Sequence, residues 1–242
     1  MKYKIVVLLL FLFTTHYTAS LGYTQQAPTT PDYGRIALNK IKSNRVSFVS
    51  GNSDHIHIVQ LGDSIADGTN SPMAYYVGNN YTPSTIKYVN LAVGGYRFKD
   101  IVNNKLADAV SLNPDVVFVH CGANDIAWTY TFGSNHVQPY INAIYNAFSQ
   151  RGIHIYFSEV IPRSPGTTYA AKRITWNAAL ATWVSSRPYA HLIQCYDAME
   201  DDVVSGDLED DYDSGDGLHI NSTGDQYMGG TVWYSEYAFP QP

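Results

Sequence analysis

Ile56-His57-Ile58-Val59-Gln60-Leu61-Gly62-Asp63-Ser64 is the stretch whose reading decides the fold. Ile56, Ile58, Val59 and Leu61 are β-branched or apolar, which suits a short strand buried in a parallel sheet. Gly62 permits a sharp bend where a side chain would clash. Ser64 then lies just past the carboxyl end of a strand, the edge at which open α/β sheets hold their ligands. A serine there becomes a nucleophile only with a base and an oxyanion site, so the remainder of the chain has to supply them.

Strands and helices alternate outward from this point. Strands are expected over 55–61, 86–92, 115–120, 153–160 and 191–196. Phe98, Ile101, Val102 and Leu106 recur at helical spacing, so 97–111 reads as a helix ended by Asn113-Pro114. Val137, Ile141, Ile144 and Phe148 mark a second helix, closed by Arg151-Gly152. Residues 170–183 form a third. Residues 223–237 form a last one, weakened by Gly229-Gly230. A loop with one short helix is expected over 65–81. The pattern specifies an α/β protein: a three-layer α/β/α sandwich around a parallel five-stranded sheet, with right-handed crossovers.

The 242 residues suit one domain with a short appendage. Apolar residues make up 45% of the chain, enough for a core. A net charge of −6 and a pI near 5.7 argue against a nucleic-acid surface. Residues 1–20 read as a secretory signal: Lys2 and Lys4, an apolar run from Ile5 to Phe13, then Thr18-Ala19-Ser20. That implies a secreted or periplasmic protein without stable membrane insertion after cleavage; an uncleaved anchor is the alternative. Residues 21–44 read as an arm, with a short helix around Ile36, Leu38 and Ile41, and 45–242 as the domain. Cys121 and Cys195 fall on strands that are not neighbours, so they are expected as free buried thiols rather than a bridge.

Four stretches stand at one edge of this sheet: Gly62-Asp63-Ser64, Asn90-Leu91-Ala92-Val93-Gly94-Gly95, Gly122-Ala123-Asn124-Asp125 and Asp216-Gly217-Leu218-His219. In this order they resemble the four sequence blocks of the SGNH hydrolases, the group containing the GDSL esterases and lipases. The resemblance covers about 56–224. Ile65 stands where the GDSL signature has leucine, an apolar swap. It implies a flavodoxin-like fold and serine ester hydrolysis without a cofactor or metal. Ser64 matches the nucleophile, His219 the base and Asp216 its orienting carboxylate. Gly95 and Asn124, with the Ser64 N–H, match the oxyanion donors. The chemistry stands beside the resemblance. A serine hydroxyl needs a base during attack, neutral histidine can serve, and a carboxylate on its other nitrogen fixes the tautomer.

Asp63 and Asp125 are expected to brace loops. Gly94 competes with Gly95, which the family spacing after Asn90 favours. His120 is expected in the core. His55, His57, His136, His154 and His191 show no metal-ligand spacing. The acidic residues between 200 and 216 read as a solvated loop rather than a calcium site. Asn80 and Asn221 begin glycosylation sequons.

Trp128-Thr129-Tyr130-Thr131-Phe132 is expected to border the pocket, with Trp128 and Tyr130 offering flat faces to a substrate. Tyr75, Tyr76, Tyr96 and Tyr169 are candidate companions. No long apolar lid is visible. The expected substrate is therefore a short-chain ester, foremost an O-acetylated carbohydrate, taken up by a monomer. The alternatives are a lysophospholipid or longer acyl ester, and an inactive glycan-binding module.

Overall fold

The computed structural model of the chain describes residues 56–67, 71–80 and 86–233. The expected signal, arm and Ile36–Ile41 helix lie outside these residues, as do His55 and the sequon residue Thr82. The order is β1 (Ile56–Gly62), α1 (Pro72–Asn80), β2 (Ile86–Asn90), α2 (Phe98–Asn104), α3 (Leu106–Ser111), β3 (Val116–His120), α4 (Ala123–Ala127), α5 (Gln138–Ser149), β4 (His154–Ser158), α6 (Gly166–Ser185), β5 (Ala190–Ile193) and α7 (Ser222–Tyr227). The five strands are parallel in the order β2-β1-β3-β4-β5. This is the flavodoxin-like order, which reverses direction between β1 and β3 and opens a crevice there.

Period-two alternation assigns each strand residue to one of two cores. Val59, Leu61, Val117, Val119, Ile155 and Phe157 face α2, α5 and α6. Ile58, Val116, Phe118, Tyr156 and Ile193 face α1 and the C-terminal helical segment. Every residue of β3 is buried, as a central strand covered on both faces requires. Three layers result.

Several boundaries differ from the sequence expectation. The single helix over 97–111 is two, broken at Lys105, where φ is −130° and ψ is −23°. The helix expected over 170–183 begins four residues earlier, because Pro165 stands just before its first turn, where a missing N–H breaks no intrahelical bond. β2 stops at Asn90, β4 covers only His154–Ser158, and β5 ends at Ile193. The final helix is short and widens over Met228–Val232 into a π-type turn. Gly229 packs there directly on α1: a Cβ on it would overlap the Pro72 carbonyl oxygen. The glycine thus permits a close approach as well as weakening a helix. Both cysteines are free and buried, at the ends of strands that β4 separates.

Candidate functional site

β1 runs into the Ser64 turn through Gly62. A Cβ at Gly62 would overlap the His120 carbonyl oxygen and stand 2.5 Å from the Ala66 methyl. The Asp63 N–H donates to that same His120 oxygen at 3.1 Å, fastening the turn to the end of β3. The Ala66 and Asp67 N–H groups close back on the Asp63 carbonyl at 3.1 and 2.9 Å. Asn90 adds a tie from β2, its amide donating to the Ala66 carbonyl at 2.8 Å. Ser64 stands half-buried on a turn held by three strands.

His219 arrives from a loop 155 residues away. Its Nε2 lies 2.9 Å from Ser64 Oγ and its Nδ1 lies 2.6 Å from Asp216 Oδ2. An ionised carboxylate can only accept, so Nδ1 carries the proton and Nε2 of the neutral ring accepts from Ser64. Asp216 Oδ1 also accepts the His219 and Leu218 N–H groups, at 2.8 and 2.9 Å. Hydrogen bonding by the His219 N–H first, then by its imidazole, holds this carboxyl well below the usual range.

The loop carrying both residues is held by side-chain and backbone bonds together. Asp213 accepts from Gly215 and Gly217, and the Ser214 N–H donates to the His219 carbonyl at 2.8 Å. Gly217, at φ +71°, packs against Ser164, whose N–H donates to its carbonyl at 2.8 Å. Asn221 caps α7 by accepting from the Thr223 and Gly224 N–H groups. Its amide nitrogen donates to Asp211 and Asp213, so the residue of that sequon is engaged in folding the loop.

Two further loops carry the other expected oxyanion donors. The β2 loop brings Gly94 so close that a Cβ on it would be 3.8 Å from that of Ser64. The Gly94 N–H donates to Asp67 Oδ2 at 2.8 Å and is thereby occupied. Gly95, at φ +81°, donates to no acceptor among the described residues, nor does the Ser64 N–H. The Gly95 N–H is thus open where that of Gly94 is occupied. Gly122 turns β3 into α4 at φ +132°, where a Cβ would strike Val160 at 2.8 Å and Trp176 at 3.0 Å. Asn124 follows in the first turn of α4, with one amide hydrogen on the Tyr96 carbonyl at 3.0 Å. The second amide hydrogen remains for a ligand. A serine in contact with a neutral imidazole, beside donors from three loops, can attack an acyl carbon and steady the oxyanion.

Asp63 and Asp125 are wholly buried and brace loops, accepting from Ile65 at 3.1 Å and Phe98 at 3.2 Å. Burial pushes their carboxyls up to about 6 and about 7. His120 is a core residue, and burial lowers it to about 4. The acidic segment is folded: Asp207 accepts from Gly166, and Asp201 from Val203 and Val204. Among the described residues, no group of three or more metal-binding side chains forms. No helix there is long and apolar enough to cross a membrane. His154 and His191 do meet, 2.6 Å apart across β4 and β5.

The aromatic residues divide. Trp128 is 62% exposed, one turn beyond Asn124 on α4, with the Arg97 guanidinium 4.8 Å from its ring centre. Tyr130 is half-buried and stacked on His136 at 4.3 Å. Phe132 and Tyr76 do not border the site. Phe132 is core, edge-on to Trp176 at 5.3 Å, and Tyr76 is buried on the opposite sheet face. Tyr169 lies under Arg163. The Asp67 carboxylate, the Ser164 N–H and the Tyr96 carbonyl, which the sequence did not single out, hold the site.

No curated protein matches the sequence. Among solved structures, a catalytic mutant of an acetylxylan esterase from Geobacillus stearothermophilus superposes with a TM-score of 0.63 at 15% identity, covering 78% of this chain and 97% of that one. A GDSL-like lipase from Bacteroides thetaiotaomicron gives 0.60 at 15% identity, covering 83% and 97%. A family 3 carbohydrate esterase from Clostridium thermocellum gives 0.58 at 17% identity, covering 75% and 94%. At such identities these likenesses establish the fold. Residues 61–227, from the end of β1 to the end of α7, match the GDSL-like lipase/acylhydrolase family. The stretch that led from Ile56 to Ser64 thus opens a carboxylic ester hydrolase of the SGNH type, and the chain belongs to the GDSL-like lipase/acylhydrolase family.

Proposed function

We propose that this protein is an exported serine esterase that removes short acyl groups, foremost O-acetyl groups of carbohydrates. The carrying observation is the unbroken contact from Ser64 Oγ to His219 Nε2 at 2.9 Å and from Nδ1 to Asp216 Oδ2 at 2.6 Å. Ser64 Oγ attacks the ester carbonyl carbon as His219 Nε2 takes its proton. The carbonyl oxygen becomes the oxyanion, met by N–H groups of Ser64 and Gly95 and the free amide hydrogen of Asn124. Collapse expels the alcohol, which takes the proton from His219. Water then attacks the acyl-serine, again giving a proton to His219, and the acid leaves as Ser64 recovers its hydrogen. Asp216 stabilises the imidazolium in both halves. One oxyanion donor is typically worth about 3 kcal/mol of barrier.

Trp128 supports the carbohydrate reading. An indole so exposed, one turn from Asn124, offers an apolar face to a sugar ring. The neighbours named as an acetylxylan esterase and a carbohydrate esterase are in keeping with it. Export rests on the leader-like sequence of residues 1–20.

The test measures acetate released from acetylated xylo-oligosaccharides, with p-nitrophenyl acetate as a small reference ester. Ser64→Ala is expected to lower kcat about 10⁴-fold or more on both. Trp128→Ala is expected to raise KM about tenfold on the oligosaccharide only. Equal rates for wild type and Ser64→Ala would end the serine mechanism. Faster turnover of p-nitrophenyl palmitate than of the acetate would end the short-acyl reading.

A further inference from the structure

The proposed oxyanion donors come from separate elements. Gly95 lies on the β2 loop and Asn124 on α4, so their spacing depends on whatever ties these together. Three bonds do so, joining Tyr96 at the end of the β2 loop and Phe98 at the start of α2 to Cys121 just before α4 and to Asn124 and Asp125 within it. The Tyr96 carbonyl accepts from the Asn124 amide at 3.0 Å and from the Cys121 thiol at 3.6 Å. The Phe98 N–H donates to Asp125 Oδ2 at 3.2 Å. Gly95 immediately precedes the pinned carbonyl. Outside this clasp, Arg97 lies over Trp128 and pairs with Asp100 at 2.9 Å.

A carboxyl is an expensive way to hold one N–H. Asp125 is fully buried, and its Oδ1 has no partner among the described residues. Desolvation is opposed chiefly by the Phe98 bond, and the neighbouring Asp63 adds to the cost. A mere packing position would be filled more cheaply by an apolar side chain. The position demands an acceptor aimed at the first amide of α2.

We infer that Asp125 and Cys121 are positioning residues that clasp the end of the β2 loop and the start of α2 to α4 and the turn before it, and so set the spacing of the Gly95 and Asn124 donors around the oxyanion. This rests on the serine-esterase reading. Neither residue touches substrate. Their loss is expected to act on the chemical step, because displacing a donor by about an ångström can cost up to about a hundredfold in rate.

The experiment follows p-nitrophenyl acetate hydrolysis, with kcat expressed per Ser64 titrated by a phosphonate ester, so unfolded protein is not counted. Asp125→Ala is expected to lower kcat about ten- to a hundredfold with KM within about twofold, and to slow phosphonylation in parallel. Asp125→Asn keeps an acceptor for the Phe98 N–H and should restore kcat to within about threefold of wild type. Wild-type kcat in Asp125→Ala, or an equal loss in Asp125→Asn, would overturn the inference. Should Asp125→Ala yield no titratable protein, Cys121→Ala against Cys121→Ser decides. A lower kcat in the variant without a donor supports the clasp, and equal values oppose it. Ser64→Ala run alongside separates the cases: if it hydrolyses like wild type and the phosphonate labels nothing, the esterase reading has failed rather than the clasp.

Discussion

Asp63 sits beside Ser64 with its carboxyl wholly out of water, accepting from the Ile65 N–H at 3.1 Å and steadied by the Ala123 N–H. The folded chain keeps its proton up to about pH 6, whereas an unfolded chain releases it near 3.8. The folded state therefore binds more protons between those values. This group's contribution to stability is complete below pH 3.8 and is lost as pH rises through about 6, a cost on the order of 3 kcal/mol. Asp125 acts alike through about 7. His120 runs the other way: it is neutral in the fold until about pH 4, so its contribution grows as pH rises from there toward 6.5. The two trends offset each other in the wild type, and a comparison of variants separates them. Asp63→Asn, which keeps an acceptor for Ile65, should lose less thermal stability than wild type between about pH 5 and pH 8. Parallel melting temperatures across that range would refute the assignment. Residue types were legible in the sequence here, since serine, aspartate and histidine carry their chemistry in their side chains. The bonds of Asp67 to the Gly94 N–H and of Ser164 to the Gly217 carbonyl were not, because any residue can supply a backbone partner.

At the level of elements, the strands were the most readable. β3 is a run of mostly β-branched and aromatic residues buried on both faces, and β1 and β4 are largely apolar and buried, so local composition is enough to mark them. The helices were harder. The apolar rhythm through Phe98, Ile101, Val102 and Leu106 continues across Lys105, but the backbone breaks there. α4 spans only Ala123–Ala127 and is too short to show a period. The Gly229-Gly230 pair looked like a simple helix weakness, while its meaning is contact with α1. Gly229→Ala would drive a methyl group into the Pro72 carbonyl, and neither backbone can yield without moving its element. A loss of about 2 kcal/mol is expected, seen as a melting temperature about 4–8 °C lower. An unchanged midpoint would show that the two elements separate freely.

Across the whole molecule, Phe118 is where the sheet joins one of its two helical layers. It lies on central β3, stacked on Tyr156 at 5.1 Å and on Trp233 at 6.1 Å, with Tyr76 of α1 at 6.5 Å. Phe118→Ala would open a void shared by the sheet, α1 and the C-terminal segment. It should cost about 3–5 kcal/mol, with a melting temperature lower by roughly 10 °C. A fall of only a degree or two would mean that these rings repack around the gap. The alternation of apolar strands and amphipathic helices determined, from sequence alone, a parallel sheet between helical layers, because burying each apolar face leaves few other solutions. The resemblance of its motifs to the SGNH blocks likewise named Ser64, Asp216 and His219 as candidates. Only the tertiary structure decided that Gly95 rather than Gly94 keeps its N–H free, that Phe132 and Tyr76 belong to the core, and that Asp125 ties one loop to another. Those outcomes depend on which backbone groups meet across residues distant in the chain, and local sequence carries no record of such meetings.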